Sequence, residues 1–151
     1  MSPLQNQSID EIRQRIVEEA RSWLRTPWHH EARVKGVGVD CAQFLIGVYA
    51  NVGLVEEFST EHYPPDWHLH RDEPLFLQYL RQYAVETEEP LPGDVAMWNF
   101  GRHEAHGSIV IAWPLIIHAY KEERAVSLTD VSTSPLRRRL AGFYRLKGLM
   151  P

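Results

Sequence analysis

The spacing of apolar residues changes once along this chain, and that change limits the folds open to it. Before Gly93 the apolar positions recur at helical spacing. Ile9, Ile12, Ile16, Val17, Ala20, Trp23 and Leu24 form one stripe, and Phe44, Leu45, Val48, Tyr49 and Val52 form another. After Gly93-Asp94 the runs are short and β-type, divided by turn residues: 95–98, 107–112, 115–120, 125–131 and 141–146. Helices gathered first and strands gathered last predict an α+β fold, with the N-terminal helices packed on a C-terminal antiparallel sheet. At 151 residues the chain is expected to form one domain, 1–151, with a core of its own.

Local signals set the expected boundaries. Ser8 with Glu11 has the form of a capping box, and Thr26-Pro27 should end the first helix near Arg25. Residues 26–39 read as a loop rich in His, Gly and Val. Asp40 stands where an N-cap belongs, so a second helix should run from Cys41 to about Val52, with Gly53 as its stop. Residues 53–71 look irregular and dense in rings. A third helix is expected from Asp72-Glu73-Pro74 to about Ala84, and 86–92 reads as an acidic, proline-bounded linker.

Charge and cysteine content narrow the partners. Sixteen basic against twenty acidic side chains give a net charge of −4, so nucleic acid is not an expected partner. Arg137-Arg138-Arg139 is the one basic cluster, and it reads as solvated surface. A single cysteine makes no internal disulfide and no multi-cysteine zinc pattern. Residues 1–10 lack the features of a signal peptide, and no apolar run reaches membrane-spanning length. Synthesis in the cytoplasm without a signal peptide and no membrane span are therefore expected.

The stretch Gly36-Val37-Gly38-Val39-Asp40-Cys41 carries the chemistry. Cys41 as first helical residue would have unpaired N–H groups and the positive end of the helix dipole beside its sulfur, which favours the thiolate. The preceding glycines would let the backbone come close to a ligand. The plainer reading is a buried core thiol continuing an apolar stripe.

A nucleophilic thiol needs a base, and the base needs a third group to orient it. His106 opens one β-type run and His118 lies in the next. A plain two-residue loop between those strands would put the two imidazoles on opposite faces, because side chains alternate. An odd loop or a bulge would pair His106 with Tyr120 and make His118 its same-face diagonal neighbour, roughly 7–8 Å away at the backbone. Metal binding is the rival use of these rings: His68-Leu69-His70 on an extended segment, or His103 with His106 on a helical turn. Neither brings a third ligand with recognisable spacing, so neither a metal nor another cofactor is expected. His29-His30 borders the glycine stretch and reads as exposed.

Taken in order, Thr26-Pro27-Trp28, Gly36 to Gln43 with Asp40-Cys41, Gly93-Asp94-Val95-Ala96, Ala105-His106-Gly107-Ser108-Ile109-Val110 and Ile117-His118-Ala119 resemble the motifs of the NlpC/P60 cysteine peptidases. The similarity spans about residues 10–147. It implies a papain-like fold, with Cys41 as nucleophile, His106 as base and His118 as the polar residue that orients His106. It implies a peptidoglycan stem peptide as substrate, cut at a γ-D-glutamyl–diaminopimelate type bond, with Asp40, Trp28 and Gln43 on the substrate side. Trp28 stands where the family often has tyrosine, and Ala42-Gln43 where it commonly has Ser-Gly or Ala-Gly. The segment Tyr63-Pro64-Pro65-Asp66-Trp67-His68 resembles phage tail-associated and gene-transfer-agent cell-wall peptidases. That likeness implies other tail proteins as partners and delivery to the wall by a tail particle. Two alternatives stay open: an amidase or acyltransferase using the same residues, and a structural tail-assembly protein with a vestigial site.

Overall fold

The structure, a computed structural model, describes residues 6–56, 75–100 and 103–151. The ring-rich segment with His62, Tyr63, Trp67, His68 and His70, and the expected start of the third helix, lie outside the described residues.

The first helix, α1 (Ile9–Ser22), begins as its capping box predicts: the Ser8 hydroxyl accepts from the Glu11 N–H at 3.1 Å. It ends slightly early, capped by Trp23. The expected loop 26–39 contains a small hairpin, β1 (Arg33–Val34) and β2 (Gly38–Val39). Its turn carries Gly36 at φ +81°. Helix α2 (Cys41–Val52) has the predicted ends: Asp40 accepts from the Gln43 N–H at 2.9 Å, and Gly53 closes it in the left-handed conformation. Helix α3 (Leu75–Tyr83) runs directly into β3 (Ala84–Thr87). The strands β4 (Val95–Phe100), β5 (His103–Ala112), β6 (Leu115–Tyr120), β7 (Ala125–Asp130) and β8 (Leu140–Leu146) follow.

Six strands form one antiparallel sheet in the order β3-β8-β4-β5-β6-β7. The α+β expectation therefore holds. Part of the expected 86–92 linker is β3, an edge strand paired to β8. The expected helical turn at 103–106 is strand, so His103 and His106 do not make a helix-turn chelate. Among the described residues, no three of His, Cys, Asp and Glu gather as a metal site. No helix among them is long and apolar enough to cross a membrane.

The core has two parts. One face of the sheet (Val95, Met97, Ile109, Ile111, Ile117, Ala119) packs against α1, α2 and Leu77 and Leu80 of α3. The other gathers Ala96, Trp98, Val110, Ile116, Val131 and Leu136. Helices α1 and α2 approach closely at Gly47. A Cβ there would stand 2.7 Å from the Trp23 ring, which is itself anchored by Nε1–H donating to Glu19 at 2.8 Å. A side chain at position 47 would have to displace that indole, so glycine lets α2 pack close beneath it.

Candidate active site

Position 41 is the first residue of α2, and the cap beneath it is unusually well held. Both Asp40 oxygens are bonded to the backbone: Oδ1 to the Gln43 N–H at 2.9 Å, and Oδ2 to the Glu31 N–H at 2.8 Å. One carboxylate thus fixes both the helix start and the loop beside it. An isolated bridge between Trp28 and Val39 brings the Thr26-Pro27-Trp28 segment against the same strand. The two glycines of the approach serve the chain: Gly36 makes the hairpin turn, and a Cβ on Gly38 would stand 2.9 Å from the His29 Cβ.

Cys41 as a residue is partly exposed, and the backbone N–H of Gly107 on β5 is close enough to its sulfur to favour the thiolate. Gly107 follows His106 in sequence, and it pairs with Met97, so strand alternation puts it on the helix-facing side. His106 pairs with Trp98, on the other side. The sulfur therefore reaches the strand at a residue with no side chain, one position from the imidazole. No hydrogen bond joins Cys41 to His106 in this resting arrangement; such contacts often tighten only with substrate in place.

The imidazoles come together as the bulge reading requires. The β5–β6 loop is the two residues Trp113-Pro114, with Ala112 opposite Leu115. A bulge at Ile111 then restores Val110 opposite Ile116 and Ile109 opposite Ile117. Continuing that register sets Tyr120 opposite His106 and brings His118 onto the same face. His106 Nε2 lies 2.8 Å from His118 Nδ1, and His118 Nε2 lies 3.0 Å from Thr129 Oγ1 on β7. Tyr120 stacks on His118 at 4.7 Å and leans on His106 at 5.4 Å, while Phe100 meets His106 edge-on at 5.6 Å. The Arg139 guanidinium lies 5.0 Å over Phe100, so one member of the basic cluster stands beside the rings.

Burial dominates the electrostatics here. It pushes the Cys41 thiol up to about 12, with the Asp40 charge adding to it and the N–H groups of Gly107, Ala42 and Cys41 opposing. The thiolate expected from the helix start alone is thus overridden. Burial, and then the neighbouring His118, hold His106 well below the ordinary histidine value, and burial takes His118 down to about 3. The resting site is a neutral thiol beside neutral imidazoles.

These depressed histidines have a thermodynamic consequence. The unfolded chain takes up protons below about pH 6.5, whereas native His118 does not until about pH 3. Below 6.5 the unfolded state binds more protons, so stability is full above that value and falls with pH. The loss approaches about 1.4 kcal/mol per pH unit for each such histidine. Urea midpoints measured between pH 7 and 4.5 should fall steadily, and the slope should be shallower in His118→Asn. Equal slopes in the two proteins would show that His118 is protonated in the fold.

The other expected site residues fall into place differently. Asp40 is 3 % exposed, and a substrate amine would meet oxygens already bonded to Gln43 and Glu31. Gln43 is buried, 5 % exposed. Trp28 is half-buried against the core, with Lys121 Nζ 5.5 Å over its ring. His29 is exposed, and His30 Nδ1 lies 3.9 Å from Asp40 Oδ2. Reading the sequence missed Gly107 as the sulfur's contact and Thr129 behind His118. Strand parity applied to β7 would have found Thr129, since it pairs with Ile116, two residues from His118.

No protein-family profile and no curated protein matches the chain's sequence. Solved structures do match its fold. The NlpC/p60 domain of the peptidoglycan hydrolase SagA is 18 % identical with a TM-score of 0.56, covering 87 % of this chain and 96 % of that one. A protein similar to lipoprotein, of the NLP/P60 family, from Staphylococcus aureus is 20 % identical with a TM-score of 0.64, covering 91 % of this chain and 42 % of that one. An N-acetylmuramoyl-L-alanine amidase from Bacteroides uniformis is 13 % identical with a TM-score of 0.56, covering 91 % of this chain and 99 % of that one. This chain thus spans nearly the whole of two of these structures and about two-fifths of the third. With helices first, a six-stranded antiparallel sheet after them and a cysteine opening α2, the chain has the fold of the NlpC/P60 domains.

Proposed function

We propose that the protein is a cysteine peptidase that hydrolyses an amide bond in peptidoglycan stem peptides. The reading is carried by one arrangement: a thiol at a helix start, set near Gly107 of β5, whose neighbour His106 is hydrogen-bonded through its imidazole to a second imidazole. As the Cys41 sulfur attacks the substrate carbonyl, its proton passes to His106. His106 then protonates the leaving amine, and a thioester remains on Cys41. Water, deprotonated by His106, releases the acid and restores the thiol. The backbone N–H groups of Cys41 and Ala42, at the start of α2, stabilise the oxyanion formed in each half.

The fold-level likeness to a peptidoglycan hydrolase and to an amidase supports a wall amide as the substrate class. The γ-D-glutamyl–diaminopimelate type bond and delivery by a phage tail are the finer parts of the proposal, and both rest on the sequence resemblance. The test is digestion of purified sacculi, with mass spectrometry of the released fragments and of Cys41. Cut stem peptides and an acyl adduct on Cys41, both absent in Cys41→Ser, are expected. Intact sacculi with normal particle assembly would favour a structural tail role. Free lactoyl ends on the glycan would make the protein an amidase.

A further inference from the structure

The hydrogen-bond chain does not stop at His118. His106 offers only Nδ1 to a thiol, because its Nε2 is taken by His118 Nδ1 at 2.8 Å. To act as a base, Nδ1 must be bare, so the proton of neutral His106 must sit on Nε2. That N–H can donate only if His118 Nδ1 is itself bare, which puts the His118 proton on Nε2. A buried N–H needs an acceptor, and leaving it without one costs about 1–3 kcal/mol. The atom placed to accept is Thr129 Oγ1, 3.0 Å away on β7.

We propose that Thr129 is a positioning residue: by accepting from His118 Nε2–H it selects the tautomer of both imidazoles and leaves His106 Nδ1 free to take the thiol proton. The opposite arrangement is chemically available. If Thr129 donates instead, His118 Nε2 is the acceptor and His118 Nδ1–H donates to His106 Nε2. The His106 proton then sits on Nδ1, where it blocks the base. One hydroxyl on a neighbouring strand therefore chooses between a competent and an incompetent pair. The choice is open because burial keeps both rings neutral, and a neutral imidazole carries its single proton on one nitrogen or the other.

A second hydroxyl competes for the role. Ser127 stands opposite His118 in the β6–β7 register, and its buried Oγ has no hydrogen-bond partner among the described residues. Its position makes Ser127→Ala the natural comparison for Thr129→Val, which keeps the branched shape and removes the acceptor.

The inference concerns the resting protein and uses the cysteine-peptidase reading only for its consequence, so two readouts separate them. Nitrogen-15 NMR of the histidine rings should show both as Nε2–H tautomers in the wild type and in Thr129→Ser. Thr129→Val should show the Nδ1–H form of His106. Iodoacetamide alkylation of Cys41 at neutral pH should slow by about tenfold or more in Thr129→Val and recover in Thr129→Ser. With a stem-peptide substrate, kcat should fall while KM holds. Unchanged ring shifts and alkylation in Thr129→Val would overturn the assignment, as would a tautomer change produced by Ser127→Ala instead. A wild type that shows the expected tautomers yet leaves sacculi intact would defeat the peptidase reading and leave the role of Thr129 standing.

Discussion

Replacing His106 with alanine is expected to lower amide hydrolysis by about 10²–10⁴-fold, the range a positioned general base supplies, and to change its dependence on pH. The reason lies in the thiol. With Cys41 pushed up to about 12, only about one molecule in 10⁵ carries a thiolate at neutral pH. On the proposed mechanism the wild type does not depend on that fraction, because His106 takes the proton as the sulfur attacks. His106 is held neutral well below the ordinary histidine range, so the wild-type rate should be flat from pH 6.5 to 8. In His106→Ala the only attacking species is preformed thiolate, and the rate should rise about tenfold per pH unit across the same range. His106→Gln keeps much of the side-chain volume and should behave alike, which separates loss of the base from collapse of the pocket. The quantity to measure is kcat/KM on a stem peptide from pH 6 to 9, with iodoacetamide alkylation of Cys41 in parallel. A flat profile in both variants would remove His106 from the chemistry.

The neutral thiol is the opposite of what the sequence around Cys41 predicts. A cysteine at a helix start lowers its pKa through the dipole and the free N–H groups, and these are local features. Burial is not local. It depends on α2 lying against β5 and on Asp40 being sealed beneath the sulfur, and it outweighs the dipole here.

The same division explains which elements were legible. Both ends of α2 were readable because their causes are single side chains: the Asp40 carboxylate on the Gln43 N–H, and Gly53 in the left-handed region. Strand β6 was readable because residues 115–120 are apolar but for His118 and the Tyr120 hydroxyl, as a strand buried on two faces should be. Strand β3 was not. Ala84-Val85-Glu86-Thr87 becomes a strand by pairing with 143–146, and nothing in its own composition announces a partner about sixty residues away. Strands β1 and β2 are two residues each, too short for any periodicity, and are held by bonds such as Val39 N–H to Pro27 C=O at 3.0 Å. In the site, alternation alone required an irregular connection between the two histidines, and the bulge at Ile111 supplies it. Thr129 follows from the same rule carried one strand further.

The second large effect lies away from the sulfur, at Asp94. This carboxylate is 0 % exposed and joins three parts of the chain. Arg13 of α1 donates to Oδ1 at 3.0 Å, Arg145 of β8 donates to Oδ2 at 2.9 Å, and the Leu91 N–H donates to Oδ2 at 2.9 Å. The guanidiniums reach further, Arg13 to the Pro92 carbonyl at 2.7 Å and Arg145 to the Glu89 carbonyl at 2.9 Å. Gly93 beside it accepts from the Tyr49 hydroxyl at 2.8 Å, which ties α2 to the same turn. Removing one partner of a buried, hydrogen-bonded charge cluster leaves the others uncompensated and costs about 3–5 kcal/mol. Asp94→Ala should therefore lower the melting temperature by about 10 °C or more for a chain of this size. Arg145→Met should cost less, because Arg145 is the more exposed partner at 18 % against 8 % for Arg13. The double variant Arg13→Met/Asp94→Leu should be more stable than Asp94→Ala, since it removes the stranded charge along with its partner. Calorimetry on the set decides the matter. If Asp94→Ala melts within about 2 °C of the wild type, α1, α2 and β8 are held together by apolar packing alone, and Gly93-Asp94 is a turn rather than a tie.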